Sequence, residues 1–117
     1  MSRRCGSWHS GRDEVVERLK AVLKGGYWAL FFFAPVYLVG SAVYRSDPND
    51  LDVVVVLEAD LYWACYPTRL HWERDWAKQS RELTLLVGFR VDFKVQFRED
   101  FWKQSGPRQL LLHPQHG

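Results

Sequence analysis

The stretch Leu51-Asp52-Val53-Val54-Val55-Val56-Leu57 constrains this chain more than any other. Consecutive β-branched residues are stiff at χ1 and favour an extended backbone. Strand side chains alternate between faces, so an unbroken apolar run needs cover on both sides. A central strand over residues 51–57 is therefore expected, with the rest of the fold arranged around it. Asp50 and Asp52 stand at its beginning, two residues apart, and project to one side. Like charges that close repel unless a proton or a cation lies between them. A divalent ion is the natural reason to keep both ionised. The plainer alternative assigns Asp50 to the preceding turn, Ser46-Asp47-Pro48-Asn49, where acids are common.

A second strand is written into Phe89 to Phe97 by strict alternation. Phe89, Val91, Phe93, Val95 and Phe97 face one way, and Arg90, Asp92, Lys94 and Gln96 the other. If this strand lies beside 51–57, Asp92 joins Asp50 and Asp52 in one acidic group. Otherwise Asp92 serves a salt bridge with Arg90 or Lys94 on its own face. Elsewhere, Val15, Val16, Leu19, Val22 and Leu23 give Arg12–Lys24 a helical stripe, ended by Gly25-Gly26. Residues 27–33 read as helix or strand, and Pro35 breaks them. Val36–Val39 is a buried strand running into a Gly40-Ser41 turn, and Ala42–Arg45 begins a short helix. Residues 60–87 are mostly helical with an interruption near Pro67, and Trp72 and Trp76 form packing on one helix face. Residues 99–104 are a short helix. Residues 1–10 and about 106–117 are expected to be loose tails, with an apolar segment at Leu110–Leu112.

Bulk properties narrow the function. A chain of 117 residues supports one domain with a modest core. With 47% hydrophobic residues it is not a disordered chain. A net charge of +2 does not announce a nucleic-acid binder. Residues 1–24 carry six Lys/Arg against three Asp/Glu, and residues 25–97 seven against nine, so the aspartates lie in the mildly acidic part. Cys5 and Cys65 lack metal-ligand spacing and fit reduced thiols in a cytosol, though a disulfide between them stays open. No zinc motif surrounds His71, and His9, His113 and His116 carry no signal. The amino terminus shows no signal-peptide pattern, so a cytoplasmic location is expected. Gly25–Tyr44 is twenty residues without a charge, long enough to span a bilayer. Pro35, Gly40 and Ser41 interrupt it, and Lys24 and Arg45 flank it alike. A buried segment running into a strand explains the same residues.

Three pieces then stand in order: Leu38-Val39-Gly40-Ser41, Asp50-Leu51-Asp52-Val53 and Val91-Asp92-Phe93. A carboxylate cluster binds Mg²⁺ through hard oxygens, and a glycine turn lets backbone N–H groups approach a phosphate. This arrangement resembles the nucleotidyltransferases of the DNA polymerase β superfamily, closest in size to their minimal stand-alone members, over roughly residues 36–97. The resemblance implies an α+β domain, a mixed sheet flanked by helices. It implies Asp50, Asp52 and Asp92 as catalytic ligands of Mg²⁺ or Mn²⁺. It implies Gly40 and Ser41, with Arg45, as contacts to a nucleoside triphosphate such as ATP, and Asp92 as an aid to deprotonating an acceptor hydroxyl. The acceptor, whether RNA, protein or small molecule, stays open. A second expectation is a catalytically weak interaction protein that keeps the fold and works beside a helical partner, in the manner of an antitoxin.

Overall fold

In this computed structural model, residues 11–25, 34–65 and 67–113 are described. The expectations for residues 1–10, for 27–33 and for 114–117, with Cys5, His9 and His116, lie outside them. The chain is an α+β fold. Strands β1 (Val36–Val39), β2 (Leu51–Leu57), β3 (Val91–Phe97) and β4 (Arg108–Leu112) form a four-stranded sheet in the order β3-β2-β1-β4. β2 runs parallel to β3, and β1 is antiparallel to β2 and to β4. Helices are α1 (Gly11–Lys24), α2 (Ala59–Cys65), α3 (Arg69–Val87) and α4 (Arg98–Lys103), with a 3-10 turn at Gly40–Val43.

The valine run does what its stiffness demands. Leu51, Val53, Val55 and Leu57 face a core completed by Val15, Val16, Leu19 and Leu23 of α1 and by Trp72, Leu83 and Val87 of α3. Val54 and Val56 face the other way, against Phe101 of α4 with Tyr37 and Val39 alongside. α4 is short, so it covers only the part of this second face near Val54 and Val56.

Trp72 anchors the larger core. Its side chain is 0% exposed, its ring stacks on Tyr62 at 4.8 Å, and its Nε1 donates to the Tyr62 carbonyl at 3.0 Å. The expected packing role for Trp72 is what the fold uses. Gly88 ends α3 in the left-handed region at φ 79°, the C-terminal signature that glycine tolerates best.

The carboxyl-terminal segment corrects the expectation of a tail from residue 106. Arg108–Leu112 pairs with β1 and buries Leu111 and Leu112. Its five residues are too few, and too uniformly apolar at the end, to show the period of a strand before a partner exists. Among the described residues no helix is long and apolar enough to cross a membrane. Part of the uncharged run, Val36–Val39, is instead an interior strand. Cys65 is an exposed free thiol.

Replacing Trp72 by Ala should cost about 3–5 kcal/mol, by loss of volume and of its indole hydrogen bond. Leu85→Ala, at a position 82% exposed, should cost less than about 0.5 kcal/mol. Urea unfolding midpoints of the two variants check the contrast.

Candidate functional site

The parallel register of β2 and β3 decides where the acids go. Asp52 is paired with Asp92, between Leu51↔Val91 and Val53↔Phe93. Residues paired across neighbouring strands project to the same face, with backbones about 4.8 Å apart. Both carboxylates therefore leave the sheet side by side, on the face that α4 covers only farther along. Asp50 sits just before β2, close enough for its charge to act on Asp52.

Burial is the largest influence on Asp52 and pushes its carboxyl above the ordinary value of 3.8. The charges of Asp50 and then Asp92 push the same way, and Lys94 opposes them. The sequence argument of like charges in want of compensation thus has a physical counterpart at Asp52. Among the described residues, neither Arg90 nor Lys94 closes an ion pair on Asp92.

The free edge of β3 is pinned around Asp92. The amide of Val91 donates to Thr84 Oγ1 at 2.9 Å, and the amide of Phe93 donates to Ser80 Oγ at 2.8 Å. Two hydroxyls one turn apart on α3 so satisfy the edge amides on either side of Asp92. That covers an otherwise open strand edge and holds the carboxylate's strand in place.

Gly40 closes the other side. Its φ is 76°, and a Cβ built there would lie 3.0 Å from Asp52 Oδ2. Glycine is required twice, for the backbone angle and for the close approach. Ser41 follows in the 3-10 turn, which is four residues long and too short to supply much helix dipole. Arg45 is exposed and pairs with Asp47 at 3.6 Å.

Two residues of this region were not singled out by sequence. Arg12 of α1 donates to the carbonyls of Ala42 at 2.7 Å and Val43 at 3.2 Å, and to Gln109 Oε1 at 2.7 Å. It ties the 3-10 turn to α1 and β4, yet in sequence it is an ordinary charge at a helix start. Arg108 is the second. β4 pairs it with Val39, and β1 pairs Val39 with Asp52. One row across the sheet then reads Arg108, Val39, Asp52, Asp92. In sequence the Leu110–Leu112 run is an apolar segment of an expected tail, and nothing there gives it a strand partner or a register.

Among the described residues, no group of three His, Cys, Asp or Glu side chains is arranged to hold a metal ion by itself. The donors that do converge are hard carboxylate oxygens. Mg²⁺ characteristically takes one or two such ligands and completes its shell with water and substrate phosphates. The pair Asp52 and Asp92 fits that habit.

Two outcomes are expected. Gly40→Ala should destabilise by about 1–2 kcal/mol through its left-handed backbone alone, with a further loss where the methyl meets Asp52; thermal unfolding checks this. For Asp52 the sign follows from its raised value. The folded state is penalised once the carboxyl ionises, so the penalty is absent below about pH 3.8 and complete above the raised folded value. Metal-free Asp52→Asn should therefore melt higher than the wild type at neutral pH, and the difference should vanish in acid.

In comparisons with known proteins, the chain matches no family model, no curated protein and no solved structure.

Proposed function

We propose that this protein is a metal-dependent nucleotidyltransferase, moving a nucleoside monophosphate from a nucleoside triphosphate to an acceptor hydroxyl. The observation that carries the reading is the in-register pairing of Asp52 with Asp92 beside Gly40. An acidic pair at a glycine turn suits a metal-bound triphosphate better than it suits stability, because Asp52 is disfavoured as an ion where it stands.

In this reading Asp52 and Asp92 would hold Mg²⁺ or Mn²⁺, with the charge of Asp50 acting on the same place. A metal held there would supply positive charge for the triphosphate oxygens and the leaving pyrophosphate. Asp92 takes the proton of the acceptor hydroxyl as its oxygen bonds to the α-phosphorus and the α–β bridging P–O bond breaks. Gly40, lacking a side chain, lets the turn backbone lie close against Asp52 and so close to a phosphate held by it. An acceptor would reach Asp92 through a groove of about 460 Å³ lined by Arg81, Arg90 and Asp92 on the outer side of β3.

A second reading, a helical-partner interaction protein, is favoured by exposed apolar residues Leu61, Trp63 and Leu70 along α2 and the start of α3. Metal affinity separates the two, since an interaction module has no need of it.

Incubation with labelled nucleoside triphosphates, Mg²⁺ or Mn²⁺ and a panel of RNA, protein and small-molecule acceptors tests the first reading. Transfer is expected from the wild type and a loss of at least about 100-fold from Asp52→Asn or Asp92→Asn, the scale on which removal of a transition-state electrostatic contact acts. Activity that survives Asp50→Asn with Asp52→Asn would sink the proposal. Mg²⁺ should also raise the melting temperature of the wild type and not of Asp52→Asn.

A further inference from the structure

Thr84 and Ser80, one turn apart on α3, take up the amides of Val91 and Phe93 at the edge of β3. Four residues of helix and two of strand each advance about 6 Å, so the next pair in this series is Trp76 with Val95. There the pattern fails. An indole N–H donates and cannot accept, so Trp76 offers nothing to the amide of Val95, which the strand's period of two turns to the same edge. Trp76 Nε1 is itself buried without a hydrogen-bond partner, and so is Gln96 Oε1, one residue farther along β3. Among the described residues these are the two buried side-chain polar atoms left unpaired. Both residues line one cavity of about 70 Å³, with Tyr62, Trp63 and Phe97 as aromatic walls.

The rings meet at steep angles, Tyr62 with Trp63 at 4.8 Å and 81° and Tyr62 with Phe97 at 5.4 Å and 72°. Ring faces of this kind suit a flat group laid against them. Trp63 is 47% exposed, so one wall reaches solvent. Arg69, over the Trp76 ring at 5.4 Å, and Asp100 bring one charge of each sign to the lining, which favours a neutral occupant over an ion. The volume exceeds the ~30 Å³ share of one water and falls well short of the ~150 Å³ that admits benzene. It therefore suits a planar head of a few atoms rather than a whole ring. A donor and an acceptor left unmet in a buried place are costly, and one group that carries an acceptor beside a donor satisfies both.

We infer that this cavity is a binding site for a neutral primary carboxamide. Its oxygen accepts from Trp76 Nε1, its NH₂ donates to Gln96 Oε1, and its plane lies against the aromatic walls. The site is separate from the acidic pair, because Gln96 stands four residues along β3 from Asp92, roughly 13 Å. It does not depend on the nucleotidyl-transfer reading. The carboxamide belongs either to a small free amide or to an Asn or Gln side chain of a bound peptide, and the two sources share the chemistry that the cavity recognises.

The probes are propionamide and a capped Gly-Gln-Gly peptide, each titrated into the full ¹⁵N-labelled chain, with propionate as the control. The indole N–H signal of Trp76 and the backbone signals of Val95 and Gln96 should move and saturate with an amide. Propionate, which lacks the N–H donor and carries a charge, should leave them in place. Trp76→Phe keeps an aromatic wall and loses the donor, and Gln96→Met keeps the length and loses the acceptor. Each should weaken amide binding about 3- to 10-fold, the loss expected for one neutral hydrogen bond. A response to the peptide alone upholds the site and identifies a protein side chain as the source, whereas a response to propionamide upholds it for a free amide. Silence toward both amides overturns the site, as does an equal response to propionate. Undiminished binding by Trp76→Phe and by Gln96→Met overturns it as well.

Discussion

Parallel pairing of β2 with β3 runs unbroken from Leu51↔Val91 to Leu57↔Phe97, and the positions of the acids follow from it. Side chains alternate along each strand, so a slip of one residue would send Asp92 into the helical core and bring Phe93 out. The register is held by the apolar alternation of β3 and by two hydroxyls of α3 that bind the amides on either side of Asp92. A fold that fixes a strand so firmly at one place leaves its carboxylate little freedom to relax away from its neighbour.

The second constraint is uneven cover. α1 and α3 shield one face of the sheet along its length, whereas α4 shields the other only around Val54 and Val56. The end of that face before Val54 carries the acidic pair Asp52 and Asp92, and Gly40 brings backbone rather than a side chain against Asp52. Ionised Asp52 is a cost the folded state carries, because burial and like charges act on it together. A site that binds a cation recovers that cost on binding, which is why an acidic pair of this type is better explained by a ligand than by stability.

Much of this was legible beforehand because it depended on local pattern. The valines of 51–57 require two-sided cover, the alternation of 89–97 gives a half-exposed strand, and the apolar stripe of α1 gives a helix that buries Val15, Val16, Leu19 and Leu23. The convergence of Asp52 and Asp92 was conditional on the two strands being neighbours. Arg108 and β4 were not legible, because a short edge strand acquires its meaning from its partner. Arg12 was equally hidden, since a guanidinium that binds the carbonyls of Ala42 and Val43 looks, in sequence, like any surface charge.

By itself the sequence determined the strands at 51–57 and 89–97, the helix over 12–24 and which of their faces would be apolar, and it put Asp50 and Asp52 at the polar entry of one strand and Asp92 on the polar face of the other. Those properties are set by side-chain stereochemistry and by periods of two and 3.6 residues. Tertiary structure alone decided that Asp52 and Asp92 would be directly paired and that Arg108 would stand in the row with the acids. These are matters of register between segments far apart in the chain, and register is fixed by packing and hydrogen bonding that no local pattern encodes.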